Sequence, residues 1–273
     1  AKPAGRGLKP EPNPVLSCAH RHKLPIAMVD KKADWEAVEK QVATQKPAFC
    51  VVAALGRLIP ASTLNLLPNR FINIHPSLLP KYRGPSPIET VLLDGAETTG
   101  VSFMILTPEM DAGPVLKQFT HPIKPKANAS ELSAELSQLA SNHTLNILKE
   151  YSRLTPVLQK EHQATYTRII TKADGRVLPA DKTTTIDRKV RAFTPWPGVS
   201  MELDGQIYKL AKTHIEKGRL AIDAIQPAGK RVLSAREFTN GYRTLLTKLP
   251  KKVIISPVPE SKQTARYLKS KRK

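Results

Sequence analysis

Three side chains have the types and spacing for proton-transfer chemistry. Residues 71–75 (FINIH) form an apolar run that predicts a buried strand, and alternation places Asn73 and His75 on the same side of it. Histidine can move a proton near neutral pH, and an asparagine amide can stabilise an oxygen that gains negative charge. Asp111 follows a later apolar run in a glycine-containing turn, where its carboxylate could orient His75. Together these residues favour acyl transfer without a covalent enzyme intermediate.

Other catalytic classes lack the residues they need. No serine or cysteine has the spacing of a nucleophile elbow, and the seven histidines show no metal-ligand spacing. The sequence therefore predicts a site without a metal ion.

The elements that must position these residues alternate between apolar runs and helical patterns. Runs at 48–55, 71–75, 101–106 and 115–121 predict strands, and residues 130–151 carry apolar side chains at helical spacing. We expect an α/β domain with a Rossmann-like parallel sheet, because the carboxyl ends of such strands form the usual binding crevice.

The second half of the chain has a different pattern of apolar runs and turn residues. Short β-like runs after Pro195 are separated by Asp204-Gly205 and Lys217-Gly218, which predict the hairpins of a small OB-like β-barrel. We expect an α/β domain at 1–156, a linker at 157–183, the barrel at 184–247 and a basic tail at 248–273.

Charge is distributed unevenly along the 273 residues. The 43 basic and 23 acidic side chains give a net charge of +20. Residues 157–273 hold 25 basic and 10 acidic side chains, a net +15, and residues 1–156 contribute only +5. This skew predicts a polyanionic partner, most simply nucleic acid, for the second half. No apolar run is long enough to predict a membrane span.

Two long motifs resemble the folate-dependent formyltransferase family, whose members transfer the formyl group of 10-formyltetrahydrofolate to an amine. They are INIHPSLLPKYRG at 72–84 and TGVSFMILTPEMDAGPVL at 99–116. The resemblance implies that Asn73, His75 and Asp111 are the catalytic residues. It also implies a set of folate-binding residues, in part through backbone contacts to the pterin: Ala53, Leu55, Gly56, Ser77, Leu78, Leu79 and Pro80.

Three further segments, at 3–15, 190–198 and 224–243, resemble the members of this family that act on initiator methionyl-tRNA. They imply an enzyme of translation initiation with a tRNA-binding barrel, and we expect a monomer by default. The implied tRNA-binding residues are Arg6, Lys9, Arg83, Lys230 and Arg231, with a bracing role in its own loop as the alternative for Arg83. A sequence pI near 10 favours the mitochondrial matrix, with the bacterial cytoplasm or a plastid as alternatives.

Two alternative functions stay open, and the first of them is suggested by a departure from the family pattern. The sequence begins with a proline-rich segment where the family has a first strand, its helix and a second strand. A non-catalytic RNA- or ribosome-binding relic of the same fold would fit that loss, but the retained Asn73, His75 and Asp111 oppose it. A formyltransferase acting on a small amine would not need the basic second half.

Overall fold

The computed structural model describes residues 14–247 and 249–256. Helices and strands alternate through the first half of the described chain. They are α1 (Pro14–Arg21), α2 (Trp35–Gln45), β1 (Cys50–Ala53), α3 (Ala61–Asn65), β2 (Phe71–His75), α4 (Pro87–Asp94), β3 (Thr98–Ile105), β4 (Val115–Pro122) and α5 (Ala129–Lys149). The predicted α/β class is therefore confirmed.

The first sheet is mixed, with the strand order β1-β2-β3-β4. β1 and β2 are parallel, with Ala53 opposite Ile74, whereas β3 runs antiparallel to both β2 and β4. The prediction of a parallel sheet is corrected for β3 and β4. Residues 106–114 connect these two strands and are too few for the crossover that parallel neighbours require. An apolar run indicates burial, and it carries no information on strand direction.

Helix α5 packs against β3 and stiffens the sheet. It begins with a capping box, in which the Asn128 side chain accepts a hydrogen bond from the Glu131 amide and the Glu131 carboxylate accepts one from the Asn128 amide. Side chains at helical spacing form its buried face: Leu132, Leu136, Ala140 and Ile147.

The second half of the described chain forms a separate sheet. Its elements are β5 (Arg176–Val177), α6 (Thr183–Ala192), β6 (Val199–Leu203), β7 (Gln206–Glu216), β8 (Arg219–Pro227), β9 (Leu233–Ser234), α7 (Ala235–Gly241), α8 (Arg243–Leu246) and β10 (Val253–Ile255). The strand order is β10-β8-β7-β6-β5, and β9 pairs with β8. Among the described residues the end strands β5 and β10 do not pair with each other, as in partly open barrels.

Both predicted hairpins are confirmed. Asp204 and Gly205 have φ values of 52° and 71°, and Lys217 and Gly218 have values of 49° and 77°. Positive φ at both central residues is the signature of the type I′ turn, whose twist matches that of the flanking strands. These turns fix the register of β6, β7 and β8.

The predicted boundary between barrel and tail is too early. Val253–Ile255 lies within the segment expected to be a tail, yet it pairs in parallel with β8. Val253–Ile255 contains only three apolar residues, which follow two lysines, and such a short pattern does not predict a strand.

Helix α4 of the first domain packs against α6 of the second. The buried apolar side chains of the two halves form one continuous cluster. Within the described ranges, no helix combines the length and apolar character that crossing a membrane requires.

Candidate active site

The structure brings the three predicted catalytic side chains together at the carboxyl end of β2. The Nδ2 atom of Asn73 lies 3.4 Å from Oδ1 of Asp111, and Nδ1 of His75 lies 3.7 Å from Oδ2 of the same carboxylate. His75 is buried, while Asn73 and Asp111 are half-buried. Alternation along β2 places Asn73 and His75 on one side, and the loop after β3 folds back to meet them.

The hydrogen bonds of His75 determine which ring nitrogen is available for chemistry. Nε2 lies 2.9 Å from the backbone oxygen of Tyr82. A carbonyl oxygen only accepts hydrogen bonds, so Nε2 carries the hydrogen and Nδ1 of the neutral ring has a free lone pair. Nδ1 faces Asp111, whose carboxylate would stabilise the ring once Nδ1 has gained a proton.

The backbone of Asp111 is held in an uncommon conformation. Its φ is 50°, in the left-handed region that disfavours residues other than glycine. Oδ2 of Asp111 accepts a hydrogen bond of 2.8 Å from the Gly84 amide. Two positions further on, a Cβ atom on Gly113 would lie 1.9 Å from the backbone oxygen of Ile105. The loop can therefore approach β3 this closely only because residue 113 has no side chain.

The loop after β2 is organised around the buried hydroxyl of Ser102. This Oγ donates a hydrogen bond of 2.6 Å to the Ser77 carbonyl and accepts one of 3.0 Å from the Leu79 amide. The Ser77 hydroxyl donates to the Lys81 carbonyl at 2.6 Å and is fully buried. The prediction of a direct folate contact by Ser77 is therefore wrong, because its hydroxyl is used to shape the loop. Leu79 is also buried, whereas Leu78 and Pro80 are half-buried.

A segment beside the three catalytic candidates has unpaired backbone groups. It leaves β1 after Ala53, next to the end of β2, and bends through positive φ at Ala54 and Gly56. Within the part of the chain that the structure describes, the backbone groups of residues 55–58 make no hydrogen bond. The Leu55 side chain is exposed. Free donors and acceptors next to apolar surface suit a flat heterocycle such as a pterin.

Comparison with known proteins identifies the family to which the chain belongs. The Formyl transferase family model matches residues 1–148, and the model of its C-terminal domain matches residues 169–219. Methionyl-tRNA formyltransferase of Roseiflexus castenholzii is 34% identical over 268 residues, covering 89% of this chain and 85% of that protein. The chain belongs to the formyl transferase family.

Two solved structures resemble the fold of this formyl transferase. Methionyl-tRNA formyltransferase from Clostridium thermocellum has a TM-score of 0.57 at 17% identity, covering 73% of this chain and 85% of that one. HypX from Aquifex aeolicus, solved in complex with tetrahydrofolic acid, has a TM-score of 0.59 at 21% identity, covering 83% of this chain and 43% of that one.

Arg83 is not a surface residue of this formyl transferase. Only 1% of it is exposed, and it donates hydrogen bonds to Gln159 at 3.0 Å, Glu161 at 2.9 Å and the Tyr166 hydroxyl at 2.9 Å. The prediction that Arg83 binds tRNA is therefore wrong, because a buried guanidinium cannot reach a phosphate. Its partners lie more than 70 positions away in the sequence, so no local pattern indicated its burial.

The neighbouring Tyr82 is held in its neutral form. Partial burial, together with a hydrogen bond to the nearby Asp94 carboxylate, raises the pKa of Tyr82 to about 12. Its φ of 61° turns the backbone so that its carbonyl meets His75. Tyr82 thus contributes to the site through its backbone.

The remaining predicted tRNA contacts are only partly covered by the structure. Arg6 and Lys9 lie outside the described residues. Lys230 and Arg231 are exposed at the turn before β9. The Arg231 guanidinium donates to Glu237 at 2.6 Å, and this hydrogen bond, with those from Ser234, lowers the pKa of Glu237 to about 2. Among the described residues, no group of histidine, cysteine and acidic side chains could hold a metal ion.

Replacing Arg83 tests its assignment as a buried brace. We expect Arg83→Lys to lower the free energy of unfolding by about 3 kcal/mol, because lysine cannot reproduce the fork of donors that reaches three partners. Urea denaturation would measure this, with Arg153→Lys at an exposed position as the matched control. A loss of tRNA affinity in Arg83→Lys protein that keeps its stability would contradict the assignment.

Proposed function

We propose that this formyl transferase acts as a monomer and transfers the formyl group of 10-formyltetrahydrofolate to the α-amine of initiator methionyl-tRNA. The observation that carries the proposal is the meeting of Asn73, His75 and Asp111 at the end of β2. The relative from Roseiflexus castenholzii, named for this activity, matches across both domains and supports the choice of amine.

His75 is suited to accept the proton that the attacking amine must lose. A free α-amine has a pKa of about 7.7–8.0, so a useful fraction is neutral and needs only a moderate base. The proton passes to Nδ1 of His75, because Nε2 already carries a hydrogen bonded to the Tyr82 carbonyl. The Asp111 carboxylate, 3.7 Å from Nδ1, then stabilises the imidazolium.

Asn73 is suited to stabilise negative charge on the formyl oxygen. Its Nδ2 atom has two hydrogens, of which one points to Asp111 at 3.4 Å and one is available. A fixed amide donor stabilises an oxygen most as that oxygen gains charge. The amine nitrogen bonds to the formyl carbon, whose oxygen takes the negative charge, and the bond from that carbon to the folate nitrogen then breaks as the proton held by His75 passes to the leaving folate nitrogen.

Backbone groups of residues 55–58 are suited to hold the pterin. They leave the sheet beside His75, and their donors and acceptors are free within the described residues. Leu55 and Gly56 belong to this binding segment in our proposal, and Ala53 adjoins it as the last residue of β1. The half-buried Leu78 and Pro80 extend it on the other side of β2.

A formylation assay with a histidine variant tests the catalytic assignment. With charged initiator tRNA and 10-formyltetrahydrofolate, we expect His75→Ala to lower kcat by about 10²- to 10⁴-fold, because the proton acceptor is lost. His22→Ala, at an exposed histidine outside the proposed site and its supporting segments, serves as the matched control and should retain activity. Circular dichroism checks that both variants fold. Equal activity of His75→Ala and wild type would overturn the assignment.

Basic side chains line the outer face of the second sheet, and we propose this face as the tRNA surface. Strand register places Arg176, Ser200, Lys209 and Gln226 in one row across β5, β6, β7 and β8. Lys209 points outward, since its neighbours Tyr208 and Leu210 are buried.

The turn with the two predicted tRNA contacts joins this row. The Gln226 side chain donates to the Lys230 carbonyl at 2.8 Å, which brings Lys230 and Arg231 beside the outer face. Arg176, Lys209, Lys230 and Arg231 together form what we call the basic row. Cations that lie on one face of a sheet can neutralise the phosphates of an RNA backbone and release their counterions.

Salt dependence of tRNA binding tests the basic row. We expect the double variant Lys209→Ala/Lys230→Ala to weaken binding and to reduce the slope of log affinity against log salt by about 1 to 2, because fewer counterions are released. Lys149→Ala, at an exposed position on α5, is the control. An unchanged slope in the double variant would show that RNA binds elsewhere.

We propose the mitochondrial matrix as the site of action, with the bacterial cytoplasm or a plastid as alternatives. The proposal is supported by the high pI of the chain and by the concentration of positive charge in its second half. Fractionation of cells that express the tagged full-length gene product should recover it with mitochondria. Recovery in another compartment would contradict this assignment.

A further inference from the structure

The segment expected to be a linker is tied to both loops of the site. Val157 and Val115 exchange two backbone hydrogen bonds of 2.8 and 2.9 Å, and Tyr166 forms a parallel bridge with Arg83. We call residues 157–167 the strap. It crosses from the loop that carries Asp111 to the loop that carries Tyr82.

One end of the strap fixes the backbone beside His75. The Tyr82 amide donates to the Thr165 hydroxyl at 2.8 Å, and the Arg83 amide donates to the Thr165 carbonyl at 2.9 Å. The Thr167 amide donates in turn to the Arg83 carbonyl at 2.7 Å. Since the Tyr82 carbonyl holds Nε2 of His75, this end of the strap sets the orientation of the ring.

The other end of the strap holds Asp111 through one amide side chain. Nε2 of Gln159 donates to the carbonyls of Asp111 at 2.8 Å and Gly113 at 2.7 Å. Its Oε1 accepts a hydrogen bond of 3.0 Å from Arg83. Both N–H hydrogens of the Gln159 amide therefore bond to the loop that carries Asp111. Its oxygen accepts a hydrogen bond from the buried guanidinium of Arg83.

We propose that Gln159 is a positioning residue, which holds the Asp111 backbone at positive φ so that the carboxylate faces His75. One of its two donated hydrogen bonds ends on the carbonyl of the strained Asp111 itself and the other on that of Gly113. The hydrogen bonds from Asn73 and Gly84, in contrast, reach Asp111 through its side chain. The expected effect of Gln159 on kcat rests on the function proposed above, whereas its expected effect on the conformation of the Asp111 loop does not.

Two substitutions at position 159 separate its hydrogen bonds. Gln159→Glu keeps an oxygen for Arg83 but removes both donors, and Gln159→Leu removes donors and acceptor at similar size. Gln138→Glu is the matched control, because Gln138 is an exposed glutamine of α5 whose side chain donates a hydrogen bond to Asn142 of the same helix. Formylation kinetics and hydrogen exchange of peptides covering residues 106–114 would be measured on each protein.

We expect both variants at position 159 to lower kcat by about 10- to 100-fold, because a small displacement of Asp111 costs that much. KM for tRNA and for the folate should change less than twofold, and exchange at 106–114 should become faster. Gln138→Glu should match wild type in all three measurements.

Two outcomes would overturn the proposal. One is wild-type exchange at 106–114 in Gln159→Leu, since the loop would then be held by other contacts. The other is a fall in kcat that only follows the fraction of unfolded protein, since the role would then be structural. If His75→Ala also keeps full activity, the proposed function fails, and the exchange data still decide whether Gln159 holds the loop.

Discussion

The contact between the Asp111 carboxylate and the His75 ring is the constraint on which the rest of the site depends. His75 ends a strand and Asp111 lies on a connecting loop, so no local structure brings them together. The left-handed backbone of Asp111 costs about 1–2 kcal/mol for a residue with a side chain. Hydrogen bonds from Asn73, Gly84 and Gln159 hold the residue in place against that cost.

These hydrogen bonds come from three separate parts of the chain, which makes the site a property of the whole domain. Asn73 comes from β2, Gly84 from the loop after it, and Gln159 from the strap beyond α5. Each bond contributes about 1 kcal/mol on its own, so more than one of them is needed to offset the strain at Asp111. Asn73 and Gly84 belong to one continuous sequence motif. The position of the third donor, Gln159, depends instead on where α5 ends and on the path by which the chain returns to the sheet.

Sequence patterns predicted the parts of the fold that depend on neighbouring residues. Alternation placed Asn73 and His75 on one side of a strand, and Asp204-Gly205 gave a hairpin with the predicted turn. The direction of β3 and the burial of Ser77 and Arg83 were not predicted, because each depends on a partner distant in sequence. The presence of a serine or an arginine at a motif position does not indicate whether its side chain faces a ligand or the protein interior. Gln159 lies in a polar stretch with no periodicity, so nothing in its surroundings distinguished it from the residues of an ordinary linker.

In our proposal the positive charge of the second domain has a different role, because cations that bind RNA must be free of partners within the protein. Among the described residues, Arg176, Lys209 and Lys230 form no ion pair, whereas Arg83 in the first domain is enclosed by partners. An exposed ion pair contributes only about 0–1 kcal/mol, so leaving these cations unpaired costs the fold little. A buried arginine without partners would cost several kcal/mol. Arginine therefore ties the loops around Asp111 and Tyr82 together where it is buried, and where it is exposed it leaves unpaired positive charge, which our proposal assigns to the tRNA surface.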